Sequence, residues 1–272
     1  QAVPNTPAID RSKCIHFKTG GCKICVDFCG VDAIDHSMQD EVIELNVGSI
    51  ILAPCFEPFD PSKFDTYNYS KHPNVITSME MERILSASGP TGGHLVRPSD
   101  HNEPKKIAWF QCVGSRDMNR CDNSYCSSVC CMYAIKEAVI AKEHAGDDLD
   151  CAIFFMDMRT HGKEFERFYD NAREKQGVRF LRSRVHSIDP LHGSDDLSVR
   201  YVDESGRLQL ETFDMIVLSV GLQTSPETVE LAERSERGGL HGSAARRLGA
   251  LHRDQRREDR QLSSGCAVDL EC

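Results

Sequence analysis

Eight of the chain's cysteines fall into two sets whose spacing suits thiolate ligation of iron–sulfur clusters. The first set is Cys14-x7-Cys22-x2-Cys25-x3-Cys29, followed by Val31-Asp32-Ala33-Ile34. Tight spacing of this kind places three sulfurs around one cubane, while the loop between them offers backbone N–H groups to its sulfides. Cys14, Cys22 and Cys25 form the natural trio. Cys29 has two readings: in two-cluster ferredoxins the fourth cysteine of a run ligates the other cluster and is followed by Pro. Here Gly30 follows, so Cys29 either closes its own cluster or serves one whose other ligands lie upstream. Four thiolates also suit a structural zinc, although the C-x2-C-x3-C run is cramped for a two-knuckle site.

The second set starts in Gln111-Cys112-Val113-Gly114-Ser115-Arg116-Asp117 and resumes at Tyr125-Cys126-Ser127-Ser128-Val129-Cys130-Cys131. Cys126 and Cys130 stand four apart, hence on one helical face, with Cys131 one step round. A helix N-terminus, with its free N–H groups and dipole, favours thiolates and an anionic cluster. Cys112 ends the preceding strand and is the preferred fourth ligand; Cys121, in the intervening loop, is the substitute. The alternative chemistry is a redox-active dithiol, Cys126/Cys130.

These residues need a strand, a turn and a helix to position them, and the pattern supplies all three. Lys106 to Cys112 reads as a buried strand and Tyr133 to His144 as a helix. Cys151 to Met156 reads as a strand, Lys163 to Gln176 as a helix and Val178 to Ile188 as a strand. Leu197–Val202 and Leu208–Thr212 pair across Asp203 to Gly206, and Met215–Val220 is a last buried strand. Alternation of this kind predicts a doubly wound, Rossmann-like α/β sheet. The strand–turn–helix at Cys112 is where such a domain carries G-x-G-x-x-G for a pyrophosphate, so a cluster is expected in the place of a nicotinamide dinucleotide.

Upstream, Val42 to Ala53 reads as two strands about a turn at Asn46 to Gly48, residues 57–74 as a linker, and Ser78 to Ala87 as a helix stopped by Gly89-Pro90-Thr91-Gly92-Gly93. From Arg234 onward eight arginines occur without a lysine or a sustained apolar period, which predicts a disordered tail, either a solvated basic segment or one foreign to the fold. The expected division is a ferredoxin-like segment over 1–36, part of an FAD-binding domain with a linker over 37–103, a Rossmann-like domain carrying the second cluster over 104–225, and a tail over 226–272.

Composition narrows the function. A net charge of −10 argues against nucleic acid as a main partner. No apolar run is long enough for a membrane span, and no signal peptide opens the chain. An odd cysteine count of 13, with Cys130 and Cys131 adjacent, argues against a disulfide framework. The start at Gln1 rather than Met reads as a fragment of a longer protein. Cys55 and Cys151 read as core, Cys266 and Cys272 sit in the tail, and the histidines lack ligand spacing. Arg116, Arg159 and Lys163 read as solvated surface charge, with contact to an anionic cofactor as the alternative. No residue reads as a general acid or base, so no catalytic side chain is named.

The motifs around Cys112 and Cys126–Met132, with Tyr133-Ala134-Ile135-Lys136-Glu137-Ala138, resemble the A-type subunit family of heterodisulfide reductase. Asn74-Val75-Ile76-Thr77, Gly89 to Gly93, Arg97-Pro98-Ser99-Asp100 and Asp157-Met158-Arg159 fit the same pattern. The resemblance covers roughly residues 1–232, and flavoprotein subunits of quinone-interacting membrane-bound oxidoreductases share much of it. It implies a thioredoxin-reductase-like flavoprotein with an inserted ferredoxin segment, carrying FAD in the full-length protein and two [4Fe–4S] clusters in this chain. By that likeness Cys112, Cys126, Cys130 and Cys131 hold the cluster beside the flavin, and Cys14, Cys22, Cys25 and Cys29 belong to the inserted ferredoxin. The implied partners are other heterodisulfide reductase-like subunits, hydrogenase or formate dehydrogenase modules, and ferredoxin. The implied setting is a cytoplasmic oxidoreductase complex in which the chain passes electrons between FAD and clusters. Three departures stand out. The family's FAD-holding Gly-rich loop would lie before Gln1, Ala53-Pro54-Cys55 replaces Ala-Thr-Gly, and the arginine-rich tail replaces the segment that closes over FAD. A zinc-stapled binding module without redox activity and a dithiol–disulfide oxidoreductase are the alternatives.

Overall fold

A computed structural model of the chain describes residues 9–37, 48, 56–146 and 148–237, with the side chains of 234–237 left aside. The chain divides into two compact units at Ile50/Ile51. In the first, Cys14 precedes helix α1 (Ile15–Thr19), which stops at Gly20 in a left-handed conformation (φ 72°). Helix α2 (Ile24–Asp27) carries Cys25. Neither helix buries a residue, and Ile15, Ile24, Phe28 and Val31 are exposed, Phe28 by 86%. Among the described residues of this unit none is buried. The strands expected within 42–53, and Cys55, lie outside the described residues, Gly48 excepted.

The second unit opens with β1 (Phe56–Pro58) and two single turns of 3-10 helix, Pro61–Lys63 and Asp65–Tyr67. This stretch is no linker. Phe59, Phe64 and Tyr67 are buried and form an aromatic chain with Phe110 and Phe154, with successive ring centroids 5.2, 5.8, 6.2 and 5.4 Å apart. Edge-on and tilted contacts at these distances favour the pairs beyond simple burial. β2 (Val75–Thr77) leads into α3 (Ser78–Leu85). A capping box sets that start: Thr77 Oγ1 accepts from the Glu80 N–H, and the Glu80 carboxylate accepts from the Thr77 N–H at 2.7 Å.

The alternation then follows as expected. β3 (Lys106–Val113), α4 (Met118–Cys121), α5 (Cys130–Ala145), β4 (Asp150–Phe155), α6 (Phe165–Glu174) and β5 (Arg179–Arg182) come in turn. β6 (Ile188–Pro190), β7 (Leu197–Val202), β8 (Leu208–Phe213), β9 (Met215–Val220), β10 (Leu222–Thr224) and α7 (Pro226–Arg237) complete the unit. Five strands form one parallel sheet in the order β2-β9-β3-β4-β5, while β6-β7-β8 is a separate antiparallel sheet and β1 pairs with β10. The fold is therefore α/β with a parallel central sheet.

Three sequence expectations change. The strand expected over 178–188 ends at Arg182, because the Ser183 N–H turns back to Leu181 O at 2.8 Å and Arg184 reaches across to Asp117 at 2.5 Å; Ile188 then starts a strand of the other sheet. The division expected at 103/104 runs through one sheet, since β2 pairs in parallel with β9, Ile76 opposite Val217. Residues 226–237, expected in the tail, form α7; the rest of the tail lies outside the described residues.

Both faces of the parallel sheet are covered, which is why its central strands read as unbroken apolar runs. Along β3, Ile107 and Trp109 join the layer of α3, α5 and α6. Ala108 and Phe110 face the aromatic chain and the antiparallel sheet. One charged residue breaks the apolar rule. Glu137, in α5, is 1% exposed; its Oε2 accepts from Trp109 Nε1 at 2.8 Å, and its Oε1 has no hydrogen-bond partner. Burial pushes its carboxyl well above the ordinary carboxylate range, against the Trp109 hydrogen bond, with Glu82 adding to the rise and Lys136 opposing it.

The folded protein therefore keeps the Glu137 proton to higher pH than the unfolded chain does. Its contribution to stability is complete below the unfolded value of about 4.3 and is lost as pH rises toward the folded one. Glu137→Gln keeps an acceptor for Trp109 and cannot ionise. Urea unfolding from pH 4.5 to 8 should show wild type losing stability relative to E137Q as pH rises; parallel curves would mean that Glu137 ionises equally in both states.

Candidate metal centre

The second cysteine set gathers at the C-terminal edge of the parallel sheet, where open α/β folds place their ligands. Cys112 is directed there by an irregularity: the β3–β9 register shifts between Phe110 and Val113, and Cys112 takes φ 62°. A bulge re-aims a side chain, and a non-glycine residue in the left-handed region is held there by its surroundings. The loop after Cys112 folds back on itself. The Arg116 N–H donates to Tyr125 O at 3.0 Å, and Asp117 and Asn123 bond backbone to backbone in both directions. Asn123 Nδ2 donates to Gly114 O at 2.9 Å. Asp117 also caps α4 through the Arg120 N–H at 3.1 Å. This closure returns the chain so that Cys126 stands beside Cys112.

The loop is pinned to the end of β9. Ser127 Oγ accepts from the Leu222 N–H at 2.8 Å, Tyr125 OH donates to Leu222 O at 3.1 Å, and the Gly221 N–H donates to Val113 O at 2.8 Å. Close approach fixes a glycine here: a Cβ on Gly114, at φ 73°, would lie 2.1 Å from Cγ of the buried Phe59. Helix α5 then begins at Cys130, three residues earlier than its apolar pattern suggests. Val129 at its N-cap offers no side-chain acceptor, and no acidic residue occupies the first turn. The positive end of the helix is left for whatever the thiols hold.

The four thiols share one electrostatic environment. Burial pushes Cys130 up to about 11, reinforced by Cys112, Cys131 and Cys126 and opposed by Tyr133. Burial raises Cys131 against a hydrogen bond from the Arg159 backbone N–H, with Cys112 and Cys126 again adding to the rise. Cys112 is raised by burial and by Cys126, against Arg116. The Ser128 N–H donates to Cys126 Sγ at 3.3 Å. Cys121 stands apart: its thiol donates to Asp117 O at 3.1 Å, and none of the four acts on it. Cys151 is a core residue, with its thiol pushed up to about 12 by burial.

Sequence reasoning ranked the charged rim as solvated surface and kept contact with an anionic cofactor as the alternative. Arg116 and Arg159 are more than solvated surface charge: both pair with Asp157, Arg159 Nε at 3.2 Å from Oδ2, and their guanidiniums also act electrostatically on Cys112 and Cys126 respectively. Burial would raise the Asp157 carboxyl, but Arg116 and then Arg159 outweigh it and hold it below the usual range. The available signal was position, since Asp157-Met158-Arg159 follows directly on a buried strand adjacent to β3. Lys163 is exposed and makes none of these contacts.

In the first unit Cys14, Cys22 and Cys29 are half-buried and Cys25 is exposed. Cys29 Sγ accepts from the Ala33 N–H at 3.2 Å; this bond and one from Val31 hold its thiol below the usual range. Two histidines without ligand spacing lie within the set. His36 Nε2 is 3.5 Å from Cys25 Sγ, His16 Nδ1 is 2.8 Å from Cys22 O, and the rings stack at 4.0 Å. Among the described residues no three His, Cys, Asp or Glu side chains stand close enough to hold a single metal ion. A cluster distributes its ligands over several irons, whereas zinc gathers four around one centre with bonds of about 2.3 Å.

The chain is 42% identical over 224 residues to the A-type subunit of H(2):CoB-CoM heterodisulfide,ferredoxin reductase of Methanothermobacter thermautotrophicus, covering 82% of this chain and 33% of that protein. It is 39% identical over 234 residues to the A-type iron-sulfur subunit of CoB–CoM heterodisulfide reductase of Methanocaldococcus jannaschii, covering 86% and 35%. The chain thus spans about a third of the length of the curated relatives it matches. No protein-family model matches it. Among solved structures, lysine monooxygenase NbtG of Nocardia farcinica aligns at 15% identity and a TM-score of 0.32, covering 59% of this chain and 42% of that one. Sulfide:quinone oxidoreductase of Aquifex aeolicus aligns at 10% and 0.29, covering 61% and 35%.

The tight packing at Gly114 is testable against a second left-handed glycine with open space around it, Gly177 at φ 65°. Gly177→Ala should cost about 1 kcal/mol for backbone conformation alone. Gly114→Ala should cost about 2 kcal/mol more, because Phe59 must move. Equal costs in urea unfolding would mean that the contact with Phe59 relaxes freely.

Proposed function

Because the chain belongs, over the third of the protein that it spans, to the A-type subunit family of heterodisulfide reductase, we propose that it is an electron-transfer portion of an iron–sulfur flavoprotein subunit. In this reading Cys112, Cys126, Cys130 and Cys131 hold one [4Fe–4S] cluster, and Cys14, Cys22, Cys25 and Cys29 a second. The observation that carries it is the convergence of four thiols on the uncapped start of α5, in the place a dinucleotide's pyrophosphate takes in related folds. A [4Fe–4S] cluster supplies one-electron chemistry; the protein's residues supply its setting. Buried Cys130 and Cys131 exclude water from one side. The backbone N–H groups of Ser128 and Arg159 bond to the Cys126 and Cys131 sulfurs, and such bonds favour negative charge on sulfur. Burial keeps the Cys112, Cys130 and Cys131 thiols protonated until they are ligated, so ligation releases protons.

The whole protein's role follows from the same family membership. FAD, other heterodisulfide reductase-like subunits, hydrogenase or formate dehydrogenase modules and ferredoxin are its proposed cofactor and partners, in the cytoplasm. The relatives' names speak of H(2), formate and ferredoxin. No described helix is long and apolar enough to cross a membrane. A dithiol role for Cys126 and Cys130 is the weaker reading, because a thiol pushed up to about 11 is a poor source of thiolate.

Iron, sulfide and zinc analysis of protein prepared without oxygen tests the proposal, together with visible and EPR spectra. About eight irons per chain are expected, falling to about four in Cys112→Ser or Cys126→Ser and unchanged in Cys121→Ser. Zinc without iron would leave a structural module. Loss of iron in C121S with retention in C112S would move the fourth ligand to Cys121.

A further inference from the structure

The charged rim of the second set has a geometry that a surface ion pair does not need. Arg116 lies in the loop after β3 and Arg159 in the loop after β4, and Asp157 bridges them at the C-terminal edge of the sheet. Each guanidinium also acts electrostatically on a different thiol, Arg116 on Cys112 and Arg159 on Cys126. Arg159 contributes twice, since its backbone N–H meets the Cys131 sulfur. Two cations bridged by one carboxylate therefore act on two of the four sulfurs, and a backbone N–H on a third. We propose that Asp157 holds Arg116 and Arg159 in place as positioning residues whose charge sets how readily the cluster at Cys112, Cys126, Cys130 and Cys131 is reduced. This rests on the assignment of those thiols to a cluster.

The physical argument is one of charge. Four thiolates around a [4Fe–4S] core carry a net negative charge, and one further electron increases it. No bond is made or broken, and no proton moves. Cations close to the sulfurs stabilise the more negative state more strongly than the less negative one, so they raise the potential. Arginine suits this task because it does not lose its proton and its planar fork can serve a carboxylate and a sulfur together. The side chains of Arg116, Arg159 and Asp157 are 24%, 35% and 43% exposed, so water and salt screen part of the effect. The remaining influence of one arginine is about tenfold in the reduction equilibrium, or about 59 mV for one electron.

The test is an EPR-monitored redox titration of the iron-loaded chain, with dithionite as electron donor. Arg159→Gln and Arg116→Gln should each lower the potential of the second cluster by about that amount. Arg159→Lys, which keeps the charge, should recover most of the loss. Arg167→Gln removes a charge on α6 whose ion-pair partner is Glu164, not a thiol, and should leave the potential where it was. In a chain already carrying Asp157→Asn, Arg159→Gln should shift the potential less, because the arginine is no longer held at the sulfur. An unchanged potential in R159Q and R116Q with iron retained overturns the proposal, as does an equal shift in R167Q. Loss of iron in both R159Q and R159K also overturns it, making the arginine a requirement for assembly. A full R159Q shift in the D157N background removes Asp157 from the role. A wild-type chain that takes up no iron at all refutes the cluster assignment instead, so the two failures are separable.

Discussion

Bringing Cys112, Cys126, Cys130 and Cys131 within electrostatic reach of one another at the edge of a parallel sheet is the constraint on which the second unit's local structure depends. A regular strand would keep Cys112 in its alternation, so β3 breaks register with β9 and Cys112 adopts a left-handed backbone. A direct path from strand to helix would leave Cys126 away from Cys112, so the loop doubles back on the Asp117–Asn123 pairing and packs Gly114 against Phe59. A helix with a conventional cap would place an oxygen where sulfur belongs, so α5 starts on Val129 without one. Each departure is costly by itself, and all of them fall within the short stretch between β3 and α5. The two apolar layers of the sheet stabilise what this stretch spends.

The same constraint explains why aromatic residues fill the segment before β2. The bulged end of β3 and its doubled-back loop need a wall, and Phe59, Phe64 and Tyr67 provide it. Arg120 strengthens that wall, with its guanidinium 4.0 Å from the Phe64 ring centroid. The segment read as a linker because its polar residues outnumber its aromatic ones. The aromatic residues nevertheless fall at each turn of a compact irregular chain, a spacing that neither helical nor strand periodicity detects.

Legibility in the sequence followed how local the cause was. β3, β4 and β9 were plain, because strands covered on both faces are continuous apolar runs. Cys130 and Cys131 stand in the first turn of α5, but Cys126 precedes the helix with Ser128 at φ 63° between them, so the shared helical face expected of Cys126 and Cys130 does not form. The choice of Cys112 over Cys121 agrees with the environment the structure gives each thiol, although strand position alone suggested it. The end of β5 at Arg182 was hidden: the ion pair that draws Arg184 away has its partner 67 residues earlier in the chain, at Asp117. The pairing of Arg116 and Arg159 through Asp157 was hidden for the same reason, since Asp157 joins two loops that only the parallel order of β3 and β4 makes neighbours. Glu137 looked like an ordinary helix former and lies buried against Trp109, because α5 turns that face toward the sheet.

The two cysteine sets differ most in what precedes what. In the second unit the core is complete without the thiols: the layers on both faces of the sheet bury Trp109, Ile153, Phe154 and Met215 whether or not a metal is bound. There the fold comes first and presents a site, and strain at Cys112 is tolerated because the surrounding packing holds it. In the first unit no residue of either helix is buried, and apolar side chains such as Phe28 and Val31 face outward. Among its described residues hydrophobic burial supplies little, so under the proposed assignment ligation by Cys14, Cys22, Cys25 and Cys29 would provide much of the free energy that orders the segment. The difference has a direct physical consequence. If both sets hold clusters as proposed, removing iron from the second would leave a folded sheet with Cys130 and Cys131 buried and Cys112 and Cys126 half-buried, and removing it from the first would take away a main cause of order in that segment.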